Sequence, residues 1–127
     1  MNYPRISIEY CAKCKWGNRA VWYLQELLQT FDKPGLTLNE VALQPLYDQP
    51  GVFRVTVFKS TDDIKVVYQR KMKNGLNDGK DYVYEGFPDS KFLKQLVRNY
   101  LFPEGQLGHI DTTVVSLNEG CRACEQS

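Results

Sequence analysis

The sequence predicts an α/β fold, a small mixed sheet covered by two helices, and three observations carry that prediction. Period-2 alternation near the start leads straight into a long stretch of helical periodicity. Runs rich in β-branched residues and punctuated by turn signals fill the middle, and a second amphipathic stretch follows them. At 127 residues the chain is one domain by length, and it is long enough to bury a core without disulfide staples.

The elements follow in order. Residues 5–10 set Ile6, Ile8 and Tyr10 against polar neighbours, the pattern of a strand with one buried face. Over residues 15–32 an apolar stripe of Trp16, Ala20, Tyr23, Leu24, Leu27, Leu28 and Phe31 predicts a helix. Asp32-Lys33-Pro34-Gly35 should stop it, and residues 36–43 should form a second strand. Strand, helix and strand make a βαβ unit, which crosses over right-handed and leaves its two strands parallel.

Residues 44–51 read as a loop carrying Pro45, Pro50 and Gly51. Residues 52–59 and 64–69 are strand-like, and Ser60-Thr61-Asp62-Asp63 between them predicts an antiparallel hairpin. The polar residues 71–85 read as a surface insertion with a short extra strand near 82–84. Pro88 is expected in the first turn of a second helix at 88–101, buried through Phe92, Leu93, Leu96, Val97, Tyr100 and Leu101. Composition divides the chain into a domain at 1–110 and a mobile tail at 111–127. The order β-α-β-β-β-α, with a four-stranded mixed sheet, is the minimal thioredoxin-like arrangement.

Composition removes several functions. A net charge of +1 offers no reason to expect a nucleic acid or a membrane surface as partner. The aromatic residues fall within periodic apolar runs and not on a base-stacking platform. No run approaches the roughly 20 apolar residues of a membrane span, and no secretory leader pattern opens the sequence. A cytoplasmic protein is therefore expected, and in a reducing compartment cysteine pairs point to catalysis or metal. His109 is the sole histidine and reads as a surface or structural residue. With no Gly-rich phosphate loop and no paired-acid motif, hydrolase, kinase and glycosidase chemistry have no candidate residues.

The informative motif is Cys11-Ala12-Lys13-Cys14, placed between the first strand and the first helix. A thiol becomes a nucleophile when it ionises, and a helix N-terminus favours the thiolate through unpaired N–H groups and the dipole. Lys13, Lys15 and Arg19 should add positive charge. The spacing lets two sulfurs meet as a disulfide, so a mixed disulfide on one can be resolved by the other. Two inert buried cysteines, or half of a zinc site, remain as alternatives. The position after the first strand of a βαβ unit favours redox chemistry.

Residues 6–14 (ISIEYCAKC), with Arg19-Ala20 and Gln25-Glu26-Leu27-Leu28, resemble the Rdx family of selenoprotein W, T, H and V relatives. Gly51-Val52-Phe53-Arg54-Val55, Glu85-Gly86-Phe87-Pro88 and Leu107-Gly108-His109 fit as well, so the resemblance spans residues 4–110. It implies a thioredoxin-like fold, a redox role on Cys11 and Cys14, no required cofactor, and protein thiols or glutathione as partners. In that family the selenocysteine, when present, takes the second position of the motif, which is Cys14 here. The resemblance thus favours Cys14 as the attacking atom. Access favours Cys11, expected to be the better exposed, and on that argument Cys11 is expected to attack and Cys14 to resolve.

Two further features were candidates. Cys121 and Cys124 repeat the spacing, as a second dithiol relaying electrons, as partners in a four-thiolate zinc site, or as tail thiols without consequence. Pro50 and Gly51 precede the third strand, where the loop should pass beside Cys11 and Cys14; a trans Pro50 is expected. A redox-sensitive binding module, with Trp16 exposed as part of its docking surface, is the alternative function.

Overall fold

The computed structural model describes residues 2–72 and 79–105. β1 (Arg5–Cys11) leads into α1 (Gly17–Thr30), followed by a two-residue hairpin, β2 (Asp32–Lys33) and β3 (Leu36–Thr37). Then come β4 (Glu40–Leu46), β5 (Phe53–Phe58), β6 (Ile64–Arg70), β7 (Val83–Tyr84) and α2 (Ser90–Leu101). The main sheet has five strands in the order β4-β1-β5-β6-β7. β1 and β4 run parallel, with Cys11 opposite Leu46. β5 runs antiparallel to β1 and to β6, so the expected hairpin is present.

The sheet is thus one strand wider than expected. The addition is β7, the short strand anticipated near 82–84, which pairs parallel to β6. The second strand also begins later than expected, at Glu40. Pro34-Gly35 does more than stop the helix: Gly35 takes φ +81 and folds residues 32–37 into the small β2–β3 hairpin. α2 begins one step later as well. Asp89 is its cap, accepting a hydrogen bond from the Phe92 N–H, and Pro88 precedes the cap instead of lying in the first turn.

The packing follows strand parity. Ile6 and Ile8 of β1 and Phe53, Val55 and Val57 of β5 share one core with Ala20, Tyr23 and Leu27 of α1 and Leu93 and Val97 of α2. Both helices therefore lie on one face, giving a two-layer sandwich. The other face is polar. Arg5 pairs with Glu40 at 2.8 Å, and Arg54 meets both carboxylate oxygens of Glu9 at 2.8 and 3.0 Å. α1 departs from its expected stripe at Leu28, which is exposed, while Trp22 and Val21 also face outward. No helix of the described residues is long and apolar enough to cross a membrane.

Candidate functional site: a cysteine pair at the end of the first strand

Cys11 is the last residue of β1 and is held by the sheet. Its N–H donates to Val52 O at 2.9 Å, the next N–H, of Ala12, donates to Leu46 O at 2.8 Å, and the side chain is 1% exposed. Cys14 lies outside the sheet, in a turn covering residues 12–15, and is half-buried. Its N–H donates to Cys11 Sγ at 3.2 Å, which keeps the two cysteines within reach of a disulfide. Both are free thiols in this structure.

This arrangement corrects two expectations. The pair does not sit on the first turn of α1, because the helix begins at Gly17. The dipole acts chiefly within that first turn, so the backbone of the turn itself takes over its role. The order of exposure is also reversed: the buried sulfur is Cys11 and the accessible one is Cys14. A strand-terminal cysteine inherits the burial of an interior strand, and sequence spacing carries no sign of that.

Burial pushes the Cys11 thiol up. Hydrogen bonding from the Cys14 thiol and from the backbone of Gly51, Cys14 and Lys13 outweighs it and holds Cys11 below the ordinary thiol value. Cys14 moves the opposite way. Donating to Cys11 raises it most and burial raises it further, against the backbone of Gly51 and the positive charge of Arg70. The two sulfurs therefore share a proton and titrate as a pair.

The structure places Gly51 beside both sulfurs, with φ +81, a conformation that favours glycine and lets the backbone face them. Pro50 is exposed and its peptide bond is trans; the cis bond among the described residues is Tyr3–Pro4. Lys13 and Lys15 are exposed, and Lys15 takes the left-handed region at φ 61. The groups acting on the thiols are backbone amides and Arg70, where the sequence pointed to lysines. Arg19 is engaged elsewhere, its guanidinium 4.0 Å from the centroid of the Phe87 ring.

Phe87 and Arg70 are the residues that sequence reasoning passed over as site residues. The Phe87 ring meets Trp16 edge-on at 4.8 Å, and Trp16 is part-buried against the core, as its place in the apolar stripe suggests. Two tyrosines fix the segment carrying Phe87: Tyr23 donates to Pro88 O at 2.5 Å and Tyr68 to Gly86 O at 2.6 Å. Arg70 ends β6, with its guanidinium 5.1 Å from the Trp16 ring centroid and 5.5 Å from that of Phe87. The motif Glu85-Gly86-Phe87-Pro88 was visible in the sequence; its contact with Trp16 was not. Among the described residues no group of three or more His, Cys, Asp or Glu could hold a metal. Cys121, Cys124, Leu107, Gly108 and His109 lie outside the described residues, as does the proposed tail.

The comparisons with known proteins bear on the family and the fold. The sequence profile of the Rdx family matches residues 5–99, the stretch from β1 to near the end of α2. The chain belongs to the Rdx family. Among solved structures, a Bordetella parapertussis protein is 40% identical, over 77% of this chain and 98% of its own, with a TM-score of 0.54. A selenoprotein W-related protein from Vibrio cholerae is 33% identical, over 79% of this chain and 99% of its own, with a TM-score of 0.56. No curated protein matches. As an Rdx protein the chain has a thioredoxin-like fold and a general redox association.

Proposed function

We propose that this Rdx protein is a thiol–disulfide oxidoreductase in which Cys14 attacks and Cys11 resolves, with glutathione or protein thiols as co-substrates. The observation that supports it is the hydrogen-bonded pairing of one accessible and one buried sulfur. In-line attack on an external disulfide needs a sulfur that the disulfide can reach. Cys14 meets that requirement, and Cys11, at 1% exposed, does not. The lower thiol value of Cys11 favours the opposite assignment. Access decides, because the shared proton can pass to Cys11 as Cys14 becomes the thiolate, whereas the buried sulfur has no comparable route outward.

The cycle then balances. Cys14 thiolate attacks one sulfur of the substrate disulfide, that S–S bond breaks, and the first thiolate leaves and is protonated. Cys11 gives up its proton and attacks Cys14 Sγ, which releases the second thiolate and closes the Cys11–Cys14 disulfide. Two electrons pass from the protein dithiol to the substrate. A reducing thiol reverses the sequence.

Two variants, each made in a chain that also carries Cys121→Ser and Cys124→Ser so that no other thiol reacts, are treated with oxidised glutathione and test the assignment by intact-protein mass spectrometry. Cys11→Ser should accumulate a glutathione adduct on Cys14, and Cys14→Ser should acquire little. The reverse pattern would assign attack to Cys11. Failure of the reduced wild-type chain to lose two hydrogens would remove the redox reading altogether.

A further inference from the structure

Two guanidinium groups lie over one aromatic ring, that of Phe87, which meets Trp16 two residues beyond Cys14. Arg19 lies 4.0 Å and Arg70 5.5 Å from the centroid of the Phe87 ring, and Arg70 also covers Trp16. Cation–π contacts hold each in place. Neither takes part in an ion pair among the described residues, where Arg5, Arg54 and Lys94 each have a carboxylate partner. Arg70 Nε is moreover shut off from solvent and has no hydrogen-bond acceptor among the described residues. Leaving a buried donor unmet costs about 1–3 kcal/mol, more for a charged group. The ring beneath these cations is not free to move away, because Tyr23 and Tyr68 tether the backbone on either side of Phe87.

A fixed aromatic platform with two unpaired cations is suited to an anion, and arginine suits a planar carboxylate in particular. Its place next to the accessible sulfur, whose charge Arg70 already influences, says which molecule brings that anion. We propose that Arg70, assisted by Arg19, binds a carboxylate of the disulfide substrate, making the chain selective for disulfides that carry a carboxylate near the sulfur. The proposal rests on the redox reading above and names the substrate class of that same site; glutathione falls within the class. The carboxylate takes no part in bond making. It orients the disulfide for Cys14.

Three small disulfides of similar size provide the test: those of 3-mercaptopropionate, 2-mercaptoethanol and cysteamine, which are anionic, neutral and cationic. Each is mixed with the reduced full chain and its consumption followed. Comparing the anionic-to-neutral rate ratio between chains cancels intrinsic differences in leaving groups and any change in Cys14 nucleophilicity. Arg70→Met should lower that ratio about tenfold, the loss of one charge-assisted hydrogen bond. Arg70→Lys should lower it less, and Arg70→Met should raise the relative rate of the cationic disulfide. Should Arg70→Met fold poorly, Arg19→Gln at an exposed position should move the ratio the same way by about two- to threefold, the worth of a surface charge. Added salt should lower the wild-type ratio. An unchanged ratio in both variants, with the neutral disulfide still consumed, would overturn the carboxylate site and leave the redox reading standing. A wild-type chain that consumes none of the three would overturn both.

Discussion

The two sulfurs sit three residues apart in two very different kinds of chain. Cys11 belongs to an interior strand, between parallel β4 and antiparallel β5, where its neighbours Ile6, Ile8, Phe53 and Val55 are fully buried. Cys14 belongs to a turn whose lysines are exposed and which enters α1 without a side-chain cap. One sulfur is thus anchored by the most constrained part of the sheet, and the other is carried by a segment with few contacts to hold it. The difference assigns roles: the anchored sulfur waits in a fixed place, and the sulfur on the turn meets what arrives.

The sharpest way to break that contrast is to cut into each side and compare stability. Phe53→Ala, which removes a buried ring packed against Tyr23, Tyr68 and Phe87, should cost about 3–5 kcal/mol. Lys13→Ala in the turn should change stability by less than about 0.5 kcal/mol. Denaturant unfolding of both variants measures the two values, and equal costs would show that the turn is as constrained as the strand.

A smaller effect separates the thiols by pH. Cys11 is lowered and Cys14 raised, so in a chain carrying Cys121→Ser and Cys124→Ser, the reference for this test, ultraviolet thiolate absorbance should rise in two steps, one below and one above the ordinary thiol value near 8.5. Adding Cys11→Ser or Cys14→Ser should collapse them to one, because each sulfur's shift depends on the other. A single step near the ordinary value in the reference chain would mean that the hydrogen bond between the sulfurs does not control their ionisation.

The smallest effect concerns Lys15. A non-glycine residue at φ 61 costs roughly 1 kcal/mol, so Lys15→Gly should recover up to about that amount while Lys15→Ala recovers none. A destabilised Lys15→Gly would show that the lysine side chain contributes more than its backbone strain takes away.

The architecture was largely legible because it rests on local periodicity. Ile6, Ile8 and Tyr10 marked β1, and Ala20, Tyr23 and Leu27 marked the buried face of α1. Leu28 misled because a four-residue spacing fits the wide stripe while the helix turns that position to solvent. Residues 36–39 misled because a tight Pro-Gly turn can end a helix and open a hairpin with the same letters. The site was less legible than the fold. Cys11 and Cys14 announced themselves through their spacing, but their exposure depends on where β1 ends. Arg70 and Phe87 belong to different elements from the motif, and β6 must pair with β5 before the guanidinium can reach Trp16.

Both margins of the five-stranded sheet are poor places for another chain to attach. β4 carries Pro45, which has no N–H to offer, and β7 is two residues long. An oxidised encounter between two copies through Cys14 would accordingly find little main chain to zip together. The disulfide alone would have to hold such a pair, and a passing thiol could release it.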